Sequence, residues 1–178
     1  MRTRSKNFMA AAALAALSLF ALALLCGAIG MRVNTTRSIP LGFYWISSQP
    51  VQKGVYVFAC PPASQTTVRA KLDGYLLDGP CPGSFGYLMK KVAATAGDLV
   101  AISSGGVRVN GALLPFSIPL TEDRAGRPLH RFHHSEFVLG HSELLLMSDV
   151  SATSFDGRYF GPVNQAQIRS VIVPVLTW

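Results

Sequence analysis

The chain has 178 residues, of which 49% are hydrophobic and 14% are charged, with a formal net charge of +7. That length allows one ordinary domain with an appended segment. The charged fraction is well below the ~25% typical of soluble domains, which excludes a disordered acidic or basic tail protein. Three cysteines are too few for a disulfide-rich miniprotein.

The apolar excess lies at the N-terminus. A basic tip, residues 1–7, precedes an uncharged, mostly Ala and Leu segment at residues 8–31. At ~1.5 Å per residue, this segment is long enough to cross a ~30 Å hydrocarbon core as a helix. The basic residues before it predict a cytoplasmic tip and an exported remainder, residues 32–178. A cleavable signal segment is the alternative, and it also exports the rest of the chain.

Residues 32–178 carry patterns typical of β-strands. The candidate strands are Val51–Cys60, Leu99–Ile102, Val107–Val109, Ala112–Leu114, Glu143–Met147 and Val171–Leu176. Asn110–Gly111, between two of them, is a strong signal for a β-hairpin. Residues 61–85 and 115–135 are expected to be loops or insertions, and the helical repeat at 165–170 is weak. The pattern predicts a single, mostly-β domain behind one transmembrane helix.

Cys60 and Cys81 bracket the first irregular stretch. In an oxidising compartment they can pair and close a loop, which stabilises the fold. The alternatives are two buried free thiols, or a metal pair with a nearby histidine.

The histidines match no metal-binding pattern. His130, His133 and His134 lie in a polar, irregular stretch that is typical of a solvated loop. The sequence has no glycine-rich phosphate loop and no G-x-S-x-G. We therefore expect no metal and no cofactor. No basic run is interleaved with aromatic residues, so we expect no direct binding to nucleic acid.

A lysine within an apolar strand is the first candidate for chemistry. Leu88, Met89 and Val92 surround Lys90 in the sequence, and burial among them would lower its pKa. A neutral lysine can take the proton of a serine hydroxyl, which is otherwise a poor nucleophile. Because side chains alternate along a strand, Lys90 and Lys91 point to opposite faces, and only one can face a site. The alternative is an exposed edge strand protected by its charges.

Three segments behind the apolar stretch carry a family resemblance. They read N-T-T-R-S-I-P-L-G at 34–42, Y-L-M-K-K-V-A-A-T-A-G-D at 87–98 and S-D-V-S-A-T-S-F-D-G-R-Y-F-G at 148–161. In this order they resemble the boxes of type I signal peptidases, which are Ser/Lys proteases that release exported proteins. More narrowly, the chain resembles the TraF-type conjugative transfer signal peptidases. The resemblance implies a single antiparallel-sheet, signal-peptidase-like catalytic domain at 32–178.

The resemblance also implies roles for individual residues. Ser38 is the nucleophile and Lys90 is the general base. The oxyanion hole is formed at Ser38 with help from the Thr36 hydroxyl. The supporting residues are Ser154, which hydrogen-bonds the lysine, and Asp156 and Arg158, which brace the site. Ser38 is followed by Ile-Pro rather than by the Met-x-Pro of the family, which argues against an ordinary signal-peptide specificity.

By the same resemblance, the protein is anchored in the bacterial inner membrane with its catalytic domain in the periplasm. Its substrate is a membrane-embedded propilin, which is trimmed at its C-terminal end and closed head to tail through an acyl-enzyme. Its partners are components of a pilus or type IV secretion assembly that serves conjugative DNA transfer. Two alternatives stay open: a general type I signal peptidase that releases exported proteins by hydrolysis, and a non-catalytic membrane-anchored scaffold for pilus assembly.

Overall fold

The fold was analysed on a computed structural model that describes residues 2–178. Met1, and the side chains of residues 2–6 and 10, lie outside the described residues. Most of the side chains of the predicted basic tip, residues 1–7, are therefore outside them as well.

Helix α1 (Arg2–Ala28) is the long apolar helix at the start of the chain. Its segment Asn7–Ala28 contains an 18-residue window with a mean hydropathy of 2.4 and is long and apolar enough to cross a membrane. Helix α1 ends before the predicted boundary at residue 31, because Gly30 turns the chain with φ of 112° and Met31 already begins a strand.

The rest of the described chain is built mainly from short strands. They are β1 (Met31–Asn34), β2 (Gly42–Ser47), β3 (Tyr56–Ala59), β4 (Asp78–Cys81), β5 (Leu88–Ala94), β6 (Leu99–Ser103), β7 (Gly106–Val109), β8 (Ala112–Leu113), β9 (His134–Val138), β10 (Glu143–Met147), β11 (Val163–Asn164) and β12 (Ile168–Thr177). Two short helices, α2 (Gln65–Leu72) and α3 (Gly157–Phe160), lie between strands.

Two antiparallel sheets contain eleven of these strands, and β4 forms only isolated bridges to Phe85. The larger sheet has seven strands in the order β1-β2-β12-β3-β5-β10-β11, and the smaller has four in the order β8-β7-β6-β9. One core of buried apolar side chains lies around β3, β5 and the segment 70–85, and a second lies between the β5–β10 pair and the smaller sheet. The prediction of a mostly-β, antiparallel domain behind one apolar helix is confirmed.

Several predicted elements match the observed strands. The predicted strand Glu143–Met147 is β10, and Leu99–Ile102 and Val107–Val109 fall within β6 and β7. Asn110 and Gly111 have φ of 51° and 82°, as a two-residue hairpin turn requires. The hairpin prediction is therefore confirmed.

Other predictions were wrong in extent or kind. The predicted strand Val51–Cys60 is a strand only at β3, because Gly54 turns the chain with φ of 94°. The weak helical repeat at 165–170 forms one 3-10 turn and then enters β12. Strands β1, β2 and β9 were not predicted.

The stretch at 61–85, predicted to be irregular, contains α2 and β4. Thr66, Thr67 and Val68 are β-branched and weak helix formers, so the local pattern does not favour a helix there. The helix forms because the Ser64 and Thr67 side chains each accept a hydrogen bond from the other residue's backbone N–H. Ala70 packs into the core on its buried side.

At Gly42 the backbones of β2 and β12 approach each other closely. Gly42 has φ of 148°, and a Cβ atom there would collide with the Leu176 carbonyl oxygen of β12. Only glycine allows β12 to pair this closely with the start of β2. The loop between β1 and β2, which contains Ser38, therefore leaves the sheet from a fixed base.

Cys60 and Cys81 form a disulfide, with their Cα atoms 5.6 Å apart. The bond joins the chain just after β3 to the end of β4, so it ties the 61–85 insertion to the larger sheet. The pairing predicted from the sequence is present in the structure.

The double substitution Cys60→Ala with Cys81→Ala is expected to lower the free energy of unfolding by about 3 kcal/mol. The disulfide has a sequence separation of 21 residues, and removing it frees that loop in the unfolded chain. Urea unfolding of the full chain in detergent micelles measures the difference. Cys26→Ala is the control, because Cys26 forms no disulfide and its loss should leave the midpoint unchanged. Equal midpoints for the double variant and the wild type would contradict the expectation.

Candidate active site

The serine loop (residues 35–41) connects β1 to β2 and carries Ser38. Pairing of Asn34 with Gly42 closes its base. Ile39 is fully buried beneath the loop, which leaves the neighbouring Ser38 half-buried at the surface. Ser38 lines a cavity of about 500 Å³.

A second hydroxyl lies beside Ser38. Thr36 Oγ1 is 3.0 Å from Ser38 Oγ, and both residues line the same cavity. The pair therefore presents two hydroxyl groups to any molecule that enters it. The oxyanion role of Thr36 stays a prediction.

Lys90 lies in the middle of β5, with its side chain almost entirely buried. Its exposed fraction is 3%, and its cross-strand partner on β3 is Val57. The ammonium nitrogen donates a hydrogen bond to Ser154 Oγ at 2.8 Å. Ser154 is therefore next to Lys90, as the resemblance implied.

Burial lowers the pKa of Lys90 to about 8, because desolvation disfavours the charged form. The nearby Asp156 carboxylate raises this pKa, and the Arg158 guanidinium lowers it. Desolvation is the largest of the three effects, so burial decides the direction of the shift. A lysine in this state can lose its proton near neutral pH.

Lys91 points to the other face of β5, as strand alternation predicted. It is partly exposed and pairs with Asp149 at 3.0 Å. The Tyr56 hydroxyl donates to the same carboxylate oxygen at 2.9 Å. Lys91 is therefore the ion-pair residue, and Lys90 is the lysine that faces the cavity.

Asp156 and Arg158 form an ion pair that is fully buried. Arg158 Nε lies 2.7 Å from Asp156 Oδ1, and its Nη2 lies 2.9 Å from Oδ2. Arg158 also donates to the backbone oxygens of Ala152 and Ser154 at 2.7 and 2.8 Å, and to that of Phe116 at 2.8 Å. The pair thus holds the loop after β10, including Ser154, against the segment around residue 116.

Ser38 and Lys90 line the same cavity without a hydrogen bond between them in the described residues. Ser38 Oγ is paired with Thr36, and the Lys90 ammonium is paired with Ser154. Hydrogen bonds between catalytic groups are often absent without substrate and form in the substrate complex. The arrangement places a serine hydroxyl and a buried lysine in one cavity.

Across residues 2–178, no three His, Cys, Asp or Glu side chains come close enough together to hold a metal ion. His130, His133 and His134, the histidines singled out in the sequence, form no such group. His130 and His133 are exposed or partly exposed in the 115–135 stretch, and His134 begins β9.

Two features of the site were missed in the sequence analysis. The Phe155 ring stacks between Tyr75 and Tyr159, at 5.9 and 5.5 Å between centroids. Because Phe155 follows Ser154, this stack helps to position the residue that contacts Lys90. Tyr75 comes from the 61–85 insertion, and no local pattern marks it as part of the site.

Asn34 is the second missed feature. In the sequence Asn34 is only the first residue of the motif at 34–42, with no role assigned to it. In the structure its side chain is buried and hydrogen-bonded within the serine loop. An asparagine two residues before a hydroxyl residue is a signal for an Asx turn, and that pattern could have found it.

Comparison with known proteins gives consistent similarities. The family model described as signal peptidase, peptidase S26, matches residues 4–177. The plasmid transfer protein TraF of Escherichia coli is 59% identical over 151 residues, which cover 85% of this chain and 85% of that protein. The conjugal transfer protein TraF of Agrobacterium fabrum is 36% identical over 151 residues, which cover 84% of each.

A solved structure is also similar in part. The signal peptidase I of Enterococcus faecalis overlays on 71% of this chain and 100% of that chain, with a TM-score of 0.39 and 17% identity. At this identity and TM-score, the overlay gives no information about the site.

Replacing Lys90 with methionine is expected to raise the free energy of unfolding at pH 7 by about 1–3 kcal/mol. At pH 7 the lysine is charged in both states, and only the folded state bears the cost of burying the charge. As pH rises from about 8 towards the ordinary value of 10.5, the wild type regains this stability, because the folded lysine is neutral while the unfolded one is still charged. Chemical unfolding at a series of pH values measures the difference.

Lys91→Met is the matched control, since it removes the neighbouring lysine of the same strand. It leaves the Asp149 carboxylate without its ion-pair partner, so we expect no gain in stability. A Lys90→Met variant less stable than the wild type at pH 7 would contradict the burial argument.

Proposed function

The chain belongs to the peptidase S26 family of signal peptidases, within its TraF-type group, and on that premise we propose that it is a membrane-anchored Ser/Lys endopeptidase that processes a conjugative propilin. Ser38 is the nucleophile and Lys90 is the general base. The observation that carries the proposal is the buried Lys90, with its lowered pKa, in the same cavity as Ser38. The names of the TraF relatives support a role in conjugative transfer.

The first chemical step is the formation of an ester on Ser38. Neutral Lys90 takes the Ser38 proton as Oγ attacks the carbonyl carbon of the scissile peptide bond. The resulting tetrahedral oxyanion accepts hydrogen bonds from the Ser38 backbone N–H and the Thr36 hydroxyl. The C–N bond then breaks, and Lys90 returns its proton to the departing amine, which leaves the acyl-enzyme.

The ester can then be resolved by water or by an amine. If water attacks, the product is the trimmed linear chain with a new carboxylate. If the N-terminal amine of the same pilin attacks, an amide forms, Ser38 leaves with its proton restored, and the product is cyclic. Tethering both ends of a short substrate at one membrane face raises the effective concentration of the amine.

The supporting residues act on Lys90 rather than on the substrate. Ser154 holds the ammonium nitrogen through its 2.8 Å hydrogen bond. Asp156 and Arg158 hold the loop that carries Ser154. We propose that these three residues keep Lys90 aimed into the cavity.

Membrane anchoring brings the site close to its substrate. Helix α1 ends at Ala28, and Ser38 follows after β1, so at ~3.3 Å per residue the two are at most about 35 Å apart along the chain. We propose that the apolar segment from residue 8 to the end of α1 at Ala28 crosses the inner membrane, that residues 1–7 stay in the cytoplasm and that residues 32–178 lie in the periplasm. The Cys60–Cys81 disulfide supports an oxidising compartment.

The intact mass of the candidate pilin tests this function. The pilin is co-expressed with the wild type or with Ser38→Ala, and both samples are weighed. We expect a trimmed product one water lighter than the linear form with the wild type, and unprocessed pilin with the variant. A trimmed product at the full linear mass would mean hydrolysis, as in a general signal peptidase. Unchanged pilin in both samples would contradict the proposed substrate and favour the scaffold alternative.

The pH dependence of cleavage tests the general base. Because only neutral Lys90 accepts the Ser38 proton, kcat/KM is expected to rise with pH with a slope of one and to reach half its maximum near pH 8. Initial rates on the propilin precursor, measured from pH 6 to pH 10, give the profile. Lys91→Met should leave the half-maximum in place, since Lys91 faces Asp149 on the opposite side of β5. A rate independent of pH across this range would exclude Lys90 as the base.

A further inference from the structure

Asn34 is a buried polar residue at the base of the serine loop (residues 35–41), with an exposed fraction of 3%. Its Nδ2 atom donates to three backbone carbonyl oxygens of the loop, those of Thr36, Ile39 and Pro40, at 2.7, 2.9 and 3.0 Å. Its Oδ1 atom accepts from the Thr36 backbone N–H at 3.2 Å and from the Thr36 hydroxyl at 3.1 Å. One side chain therefore binds both arms of the loop.

The chemistry of these partners determines the orientation of the amide. Carbonyl oxygens only accept and a backbone N–H only donates, so the nitrogen must face the three carbonyls and the oxygen must face Thr36. The reverse orientation would leave the Thr36 and Ile39 carbonyls and the Thr36 backbone N–H without these partners. From β2, the Tyr44 hydroxyl also donates to the Pro40 carbonyl, at 2.6 Å. The path of the chain around Ser38 is thus held from two sides.

The same logic gives a direction to the hydroxyl protons. The Thr36 hydroxyl has one proton and donates it to Asn34 Oδ1, because an amide oxygen cannot donate. In the 3.0 Å contact between Thr36 and Ser38, the donor must then be Ser38. In this structure the Ser38 proton therefore points towards Thr36, while Lys90 is engaged with Ser154.

We propose that Asn34 is a positioning residue of the peptidase, which sets the place of Thr36 Oγ1 and the Ser38 backbone N–H around the oxyanion. When the oxyanion forms, the Thr36 hydroxyl turns its proton from Asn34 Oδ1 to the oxyanion, and the Thr36 backbone N–H still donates to Oδ1. The inference rests on the proposed Ser38–Lys90 function. The side-chain N and O atoms of Asn34 are hydrogen-bonded within the loop, so Asn34 acts through Thr36 and Ser38 and not on the substrate itself. Its two functional groups have separate tasks: Nδ2 holds the curvature of the loop, and Oδ1 holds Thr36.

The variant Asn34→Asp tests the task of the nitrogen. Aspartate keeps the shape and the acceptor for Thr36, but it replaces the donor to three carbonyls with a second acceptor. We expect kcat to fall about 10²-fold and KM to change less than about twofold, because the groups that bind substrate stay in the cavity. The assay uses the full chain in detergent micelles with the propilin precursor. Unchanged kcat would overturn the proposal.

Asn164→Asp is the matched control. Asn164 is exposed and caps the 3-10 turn before β12, where its Oδ1 accepts from the Ala166 backbone N–H. The same substitution there should leave kcat and KM unchanged. A loss of kcat in both variants would show a general effect of the substitution and overturn the specific role of Asn34.

Thr36→Val tests the task of the oxygen without risk to the core, since Thr36 is exposed. If the Asn34 oxygen acts through Thr36, the double variant Asn34→Ala with Thr36→Val, in which both the acceptor and its hydroxyl partner are removed, loses less kcat than the product of the two single losses. Losses that simply multiply would mean that Asn34 and Thr36 act independently, which overturns the proposed coupling.

Two further readouts separate this inference from the proposed function. Cleavage that persists in Ser38→Ala would overturn both, whereas cleavage lost in Ser38→Ala but kept in Asn34→Asp would overturn only the role of Asn34. Amide hydrogen exchange needs no substrate: the Thr36 amide should exchange faster in Asn34→Ala, which lacks the Oδ1 acceptor, than in the wild type. Unchanged exchange would contradict the positioning role, even if the chosen precursor were not a substrate.

Discussion

The buried ion pair between Arg158 and Asp156 is the interaction on which the geometry of the site depends. The guanidinium binds the carboxylate with two hydrogen bonds and donates its remaining protons to backbone oxygens of two separate loops. A buried charge is tolerated only when its partners satisfy it completely, so these loops cannot move away from Arg158 independently. Ser154, and through it Lys90, is placed by this constraint.

The same pair shapes the electrostatics of the lysine. Asp156 raises the pKa of Lys90 and Arg158 lowers it, but burial has the largest effect and lowers the pKa. A buried, charged lysine destabilises the folded state near neutral pH. Lys90 lies inside the larger sheet, where β3 and β10 pair with β5 on either side and hold its backbone. Local instability at a reactive group is common where activity needs an unusual protonation state.

Ser38 and Lys90 do not come from neighbouring strands. Strand β1 lies at the edge of the larger sheet and is separated from β5 by β2, β12 and β3. The serine loop brings Ser38 to the cavity, and the disulfide-bonded insertion at 61–85 also lines it, including Tyr75. The site therefore combines the middle of β5 with three loops. Each loop is held in place by a specific interaction: Asn34 for the serine loop, Arg158 for the loop after β10, and the disulfide for the insertion.

The sequence alone determined the features that depend on near neighbours. The apolar helix, most strands of the smaller sheet and the hairpin turn at Asn110–Gly111 follow from local composition, and strand alternation separates Lys90 from Lys91. The family resemblance added candidate roles for Ser38, Lys90 and their supporting residues. Helix α2 was missed because its β-branched residues do not favour a helix locally. The helix is stabilised by its N-terminal cap and by contacts with the core.

Only the tertiary structure decided which lysine is buried, that Cys60 and Cys81 pair, and that Asn34 and Tyr75 belong to the site. These features depend on segments that are far apart in the sequence. Burial, and with it the pKa of Lys90, is the sum of contacts from several such segments, and no window of neighbouring residues contains that sum.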